Sequence, residues 1–275
     1  MKKARIRKVE IKKVELKKGI YIIPSLFTCG NMSFGMLSIV GSSKGNFIQA
    51  AWFLVGALAC DILDGRIARM TKTTSDFGMQ LDSLSDLVSF GMAPAIMIYM
   101  LVLNTMGKIG VAIAVLFVLC CALRLARFNV LAQSGEVHKH FVGLPTPASA
   151  GVILSFVLSY ELLGPENYAL NFRSIPALME RMPTFFKAMP IVMVSLSFLM
   201  VSNIPYPSFK RMNLSRVRTI QLFALVIVLV LLVLVYPQNI FFVIFSVYAA
   251  SGLLFYVPRI LWRRRRRVKQ NREEQ

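Results

Sequence analysis

Four aspartates stand in two pairs within apolar sequence: Asp61 and Asp64 in Cys60-Asp61-Ile62-Leu63-Asp64-Gly65-Arg66, and Asp82 and Asp86 in Leu81-Asp82-Ser83-Leu84-Ser85-Asp86. Separations of three and four residues place both members of each pair on one face of a helix. The stretch between the pairs, about 66–77, is short enough to bring two helices together antiparallel, so that the carboxylates converge near a membrane boundary. An acid in the bilayer costs about 2.5–3.5 kcal/mol even on a lenient scale, and like charges add repulsion. Protonation or bound cations would relieve that conflict. Carboxylate oxygens suit hard divalent ions such as Mg²⁺ or Mn²⁺, and two metals ~3.5–4 Å apart form a recurrent clamp for phosphoryl displacement. Helix capping, or pairing with Arg66 and Arg69, would account for single members of the set but hardly for all of it together.

Elements that hold such a cluster must be membrane helices. Of 275 residues, 56% are hydrophobic and only 16% charged, against about 25% charged in a soluble domain, and the mean hydropathy is +0.62. Disorder is excluded by the same figures, with aromatics at 11%. A disulfide scaffold is excluded because Cys29, Cys60, Cys120 and Cys121 lie in apolar stretches and form no CxxC pair. A span needs roughly 17–25 apolar residues. Eight stretches qualify or nearly so, at about 21–42, 47–68, 82–103, 109–130, 147–163, 187–203, 218–236 and 239–257. The expected fold is therefore an all-α integral membrane protein.

Charge sets the orientation. Lys and Arg number 32 against 13 acids, giving a net charge of +19. Nine of the basic residues fall in Met1–Lys18 and seven in Arg259–Lys269. Basic clusters beside apolar spans keep loops cytoplasmic and attract anionic headgroups; without interleaved stacking aromatics they do not read as a nucleic-acid platform. Loops after the second, fourth and sixth spans carry Arg66, Arg69, Lys72; Arg124, Arg127, Lys139; and Lys210, Arg211, Arg216, Arg218. Both termini are then expected on the cytoplasmic side of the cell membrane, which requires an even number of spans. No signal peptide is expected in the charged first eighteen residues. Residues 164–186 read as an outer loop with a short helix around Ala177–Arg181, and His138 and His140 as part of a solvated loop.

The pattern Asp61-x2-Asp64-Gly65-x2-Ala68-Arg69-x8-Gly78-x3-Asp82-x3-Asp86 resembles the full signature of the CDP-alcohol phosphatidyltransferases. That resemblance implies a six-helix membrane core that moves a phosphatidyl group from a CDP-linked lipid to an alcohol. By motif position it implies that Asp61, Asp64, Asp82 and Asp86 bind two divalent metals, with Asp86 also the general base. Gly65 and Arg69 would contact the CDP moiety and Gly78 would allow close approach. The residues agree chemically: Gly65 and Ala68 leave room for a nucleotide, and Arg69 offers a guanidinium fork to a phosphate. Pro24-Ser25-Leu26-Phe27-Thr28-x2-Asn31 is similar to the family's Pro-Asn-x-x-Thr element, with Ser25 departing from the usual Asn. Thr28, Asn31 and Ser75 are thereby further candidates for CDP-lipid contact.

Arg124-Leu125-Ala126-Arg127-Phe128-Asn129, Phe141-Val142-Gly143-Leu144-Pro145-Thr146-Pro147 and Tyr206-Pro207-Ser208-Phe209-Lys210 resemble the branch whose acceptor is L-serine. The implied reaction converts CDP-diacylglycerol and L-serine to phosphatidylserine and CMP. Arg124 and Arg127, at (i, i+3), can face one site and grip a carboxylate, with Asn129 as a polar partner. Glycerol-3-phosphate, the acceptor of phosphatidylglycerophosphate synthases, would suit the same arginines. A divalent cation transporter is the competing class; it would favour midplane acids on broken helices in two corresponding halves, which the sequence lacks. The expected layout is a basic juxtamembrane segment 1–19, the membrane core 20–210, two additional spans 211–258 and a basic tail 259–275. A homodimer fits the family resemblance.

Overall fold

The computed structural model describes residues 24–71, 75–133, 141–161, 182–206, 243–249 and 251–252. Expectations for 1–19, 164–181, 218–236, 259–275, His138 and His140 fall outside the described residues.

Helix α1 (24–43) turns through Gly45 into α2 (Phe47–Thr71). After the short link 72–74, Ser75 caps α3 (Asp76–Asp86), its hydroxyl oxygen accepting from the Gly78 N–H at 3.0 Å. The third span therefore starts at Asp76 rather than Asp82, because a serine in extended conformation satisfies a first-turn donor there. A π-helical turn (Leu87–Met92) then leads into α4 (Ala93–Leu101), and the whole run Asp76–Leu101 is one apolar span. Pro94 explains the wide turn: it has no N–H for the Phe90 carbonyl four residues back, and the ladder shifts so that the Ala93 N–H bonds Val88 O.

A 3₁₀ turn (Leu103–Met106) precedes α5 (Lys108–Gln133). Beyond it come β1 (Phe141–Val142), α6 (Thr146–Glu161), α7 (Met182–Val201) and β2 (Pro205–Tyr206). The helical segment 243–249 is the described part of a last element, α8. Among the described residues, three spans (Phe47–Thr71, Asp76–Leu101 and Lys108–Ala132) are long and apolar enough to cross a membrane. This is a multi-pass membrane protein, all-helical among the described residues apart from one two-stranded clasp.

Such helices form because lipid offers no partner for backbone groups, so each must be satisfied within its own segment. They pack through small residues: Ala50, Ala51 and Ala57 on α2 and Ala93 and Ala95 on α4 are fully or almost fully buried. Val111, Val115, Leu119 and Leu123, one turn apart on α5, remain exposed and form a lipid-facing stripe. By contrast α6 is buried on every side from Ala148 to Ser159, making it the central helix.

The clasp pairs β1 and β2 antiparallel, Phe141 opposite Tyr206. Gly143 has φ +83°, and a Cβ there would run into the Met200 carbonyl, so glycine is required. Its N–H bonds Ile204 O at 2.9 Å, and the Leu144 N–H bonds Leu199 O at 3.0 Å. Tyr206, fully buried, donates to the Ala249 carbonyl of α8 at 3.2 Å. Burial and the neighbouring Tyr248 push its phenol up to about 12, keeping it a neutral donor.

Candidate active site

Helices α2 and α3 bring the aspartates together as their spacing requires. Asp61, Asp64 and Asp82 each offer an oxygen, and these oxygens lie within 4.8 Å of one another. Asp86 lies beside this group, within reach of the charges of Asp61, Asp82 and Asp64. Asp64 and Asp86 are buried, while Asp61 and Asp82 are half-buried. Among the described residues no ion pair joins any of the four to Arg66 or Arg69, and Asp82 Oδ1 is buried with no hydrogen-bond partner. An all-oxygen donor set with an orphaned buried oxygen and no ion-paired cation among the described residues suits a hard divalent ion.

Helix α1 orients the acids. The Thr28 hydroxyl donates to Asp64 Oδ2 at 2.9 Å, with the Pro24 carbonyl its other neighbour at 3.1 Å. Asn31 Nδ2 donates to Asp86 Oδ1 at 3.3 Å, and Asn31 Oδ1 is buried without a partner among the described residues. Both residues therefore face carboxylates directly. Two hydroxyls of the third span fix the register between helices: Ser85 donates to Thr28 O at 2.9 Å and Ser89 to Asn31 O at 2.8 Å. The sequence reading passed over both serines. Their signal was a pair of small polar residues one turn apart flanking Asp86 in an apolar span.

Around the cluster, a Cβ built on Gly65 would meet only the end of the Arg69 guanidinium, at 3.9 Å, so that side of α2 is open. Ala68, half-buried, sits a turn further along α2. Ser75 is engaged as the α3 cap, and a Cβ on Gly78 would press on its oxygen at 3.2 Å.

The acceptor candidates separate. Arg124 is half-buried and its Nη1 donates to Thr146 Oγ1 at 3.1 Å. Arg127 is exposed and bonds Asn203 Oδ1 at 2.7 Å and Val201 O at 3.5 Å, tying α5 to the end of α7. Asn129 Nδ2 donates to Ser83 Oγ at 2.9 Å and to Gln80 Oε1 at 3.3 Å, bracing α3 beside Asp82. An (i, i+3) offset turns the second arginine far enough for the α7 end to capture it.

Comparison with known proteins matches this arrangement. The family model described as CDP-alcohol phosphatidyltransferase matches residues 21–178, which include the aspartates and the α1 residues that bond them. The chain is 37% identical over 243 residues to a CDP-diacylglycerol–serine O-phosphatidyltransferase of Helicobacter pylori, covering 86% of this chain and 92% of that protein. It is 33% identical over 191 residues to the enzyme of the same name from Bacillus subtilis, covering 69% of this chain and 92% of that protein. An archaetidylserine synthase of Methanothermobacter thermautotrophicus is 38% identical over 195 residues, covering 70% of this chain and 72% of that protein. A signature that predicts converging carboxylates, a fold that makes them converge, and relatives matched over most of their length lead to one assignment: the chain belongs to the CDP-alcohol phosphatidyltransferase family.

Proposed function

We propose that this transferase moves the phosphatidyl group of CDP-diacylglycerol to the hydroxyl of L-serine, giving phosphatidylserine and CMP. The observation that carries the reading is 37% identity across 86% of the chain to a protein named for that reaction. The carboxylate cluster supplies the chemistry such a transfer needs.

Asp61, Asp64, Asp82 and Asp86 would hold two divalent cations, Mg²⁺ or Mn²⁺. When bound, these neutralise the diphosphate and stabilise the charge collecting on departing CMP. Arg69, beside the open flank of Gly65 and Ala68, grips a phosphate of the CDP-lipid, with Ser75 and Gly78 at the α3 entrance. Thr28 and Asn31 line the same pocket and keep Asp64 and Asp86 in place. Asp86 accepts the proton of the serine hydroxyl; the serine oxygen bonds to the lipid-bearing phosphorus as the anhydride P–O bond breaks and CMP leaves. Arg124 takes the serine carboxylate. Arg127 and Asn129 support that site from the α7 end and from α3.

Around this core, the layout is a basic segment 1–19, the core 20–210, two further spans 211–258 and a basic tail 259–275. Eight spans with both termini cytoplasmic follow from the loop charges. The protein lies in the cytoplasmic membrane, and a homodimer is the proposed assembly.

The test is CMP release by purified protein supplied with CDP-diacylglycerol, Mn²⁺ or Mg²⁺ and one acceptor at a time. L-serine supports release; glycerol-3-phosphate does not. Release with glycerol-3-phosphate alone would transfer the assignment to the phosphatidylglycerophosphate branch.

A further inference from the structure

Arg124 uses its donors unequally. Nη1 is engaged by the Thr146 hydroxyl at 3.1 Å, yet Nε is buried with no acceptor among the described residues. A buried cationic N–H without a partner is among the costliest vacancies a protein interior holds. It persists where a ligand supplies the acceptor. In a guanidinium the Nε–H and the Nη2–H beside it form a parallel fork, and a planar carboxylate fits that edge side-on through two hydrogen bonds. The contact at Nη1 therefore decides which edge is offered.

Thr146 is suited to fix that contact. It is fully buried at the start of α6, and its own carbonyl accepts from Ser149 Oγ at 2.9 Å. The preceding residues are clamped to α7 through Leu199 O and to the residue before β2 through Ile204 O, with Gly143 allowing the tight approach. Arg127, the second candidate cation, is committed to Asn203 and Val201.

We propose that Thr146 is a positioning residue for acceptor choice: it holds the Nη1 end of Arg124 so that the buried Nε edge receives the single carboxylate of the acceptor amino acid. This rests on the reading that Arg124 binds the serine carboxylate. One fixed fork suits a planar monoanion bearing an alcohol and disfavours an acceptor without a carboxylate.

The experiment is steady-state kinetics of the purified full-length protein with serine and with serinamide, which keeps the hydroxyl and lacks the carboxylate. Thr146→Val removes the acceptor oxygen at nearly constant shape and raises KM for serine about tenfold, while kcat and KM for CDP-diacylglycerol stay within about twofold. Serinamide turnover, already poor, is unchanged by the substitution. Thr146→Ser restores the hydroxyl and returns the serine KM to within about threefold of the parent. Equal rises in both KM values, or a Thr146→Ser variant no better than Thr146→Val, would overturn the proposal by showing a merely structural role. Arg124→Lys separates the two layers. If it raises the serine KM and Thr146→Val does not, positioning by Thr146 is wrong and the carboxylate site stands; if Arg124→Lys leaves the serine KM unchanged, the carboxylate site itself is wrong.

Discussion

Asn31 holds Asp86 Oδ1, and in the proposed reaction the other oxygen of that carboxylate takes the proton. In the proposed reaction Asp86→Asn lowers turnover by about 10²–10⁴-fold, since an amide oxygen cannot serve as base. Binding of CDP, followed calorimetrically, persists in that variant, and an active Asp86→Asn would remove the assigned base. Thr28 acts on the neighbouring acid: its hydroxyl is the one side-chain donor recorded at Asp64 among the described residues. Replacing an outer partner of a metal ligand costs about 10–100-fold in metal affinity, so Thr28→Val raises the Mn²⁺ concentration for half-maximal activity by that factor. Unchanged Mn²⁺ dependence would leave Thr28 a purely structural residue. The aspartates were legible in the sequence because their spacing dictates a helical face. The roles of Thr28 and Asn31 on those acids were not, since hydrogen bonds between residues tens of positions apart leave no local period.

At the scale of elements, the site depends on how closely α1 meets the third span. Gly35 makes that approach possible: a Cβ there would collide with the Ser89 hydroxyl and lie 2.8 Å from Ser89 Cα. Gly35→Ala therefore forces the helices apart, with overpacking costing about 1–3 kcal/mol, and shifts the Asn31 and Thr28 contacts with it. A lowered melting temperature in detergent together with reduced activity is expected; an unaltered melting curve would contradict the packing described. Spans at α2 and α5 were readable from apolar length. The π-helical turn had only Pro94 as a sign, and the two-residue strands of the clasp are too short to show alternation. Hydropathy also failed to separate α6, buried all round, from the lipid-facing helices, because lipid tails are as apolar as leucine. The split of Arg124 from Arg127 was equally hidden: it is decided by Thr146 and Asn203, which other elements deliver.

For the whole molecule, the orientation proposed from the loop charges would put the carboxylates at the cytosolic face. A fluorescent protein fused after Gln275 should fold and fluoresce, whereas an alkaline phosphatase fusion at the same point should stay inactive; active phosphatase would reverse the topology. The central claim is that lipid-embedded acids are tolerated because divalent cations neutralise them. Electron paramagnetic resonance of Mn²⁺ titrated into purified protein tests this most directly. The account predicts bound Mn²⁺ that Asp61→Asn and Asp82→Asn each release without unfolding the protein. Mn²⁺ that remains free in the parent protein, or binding untouched by both substitutions, would contradict it.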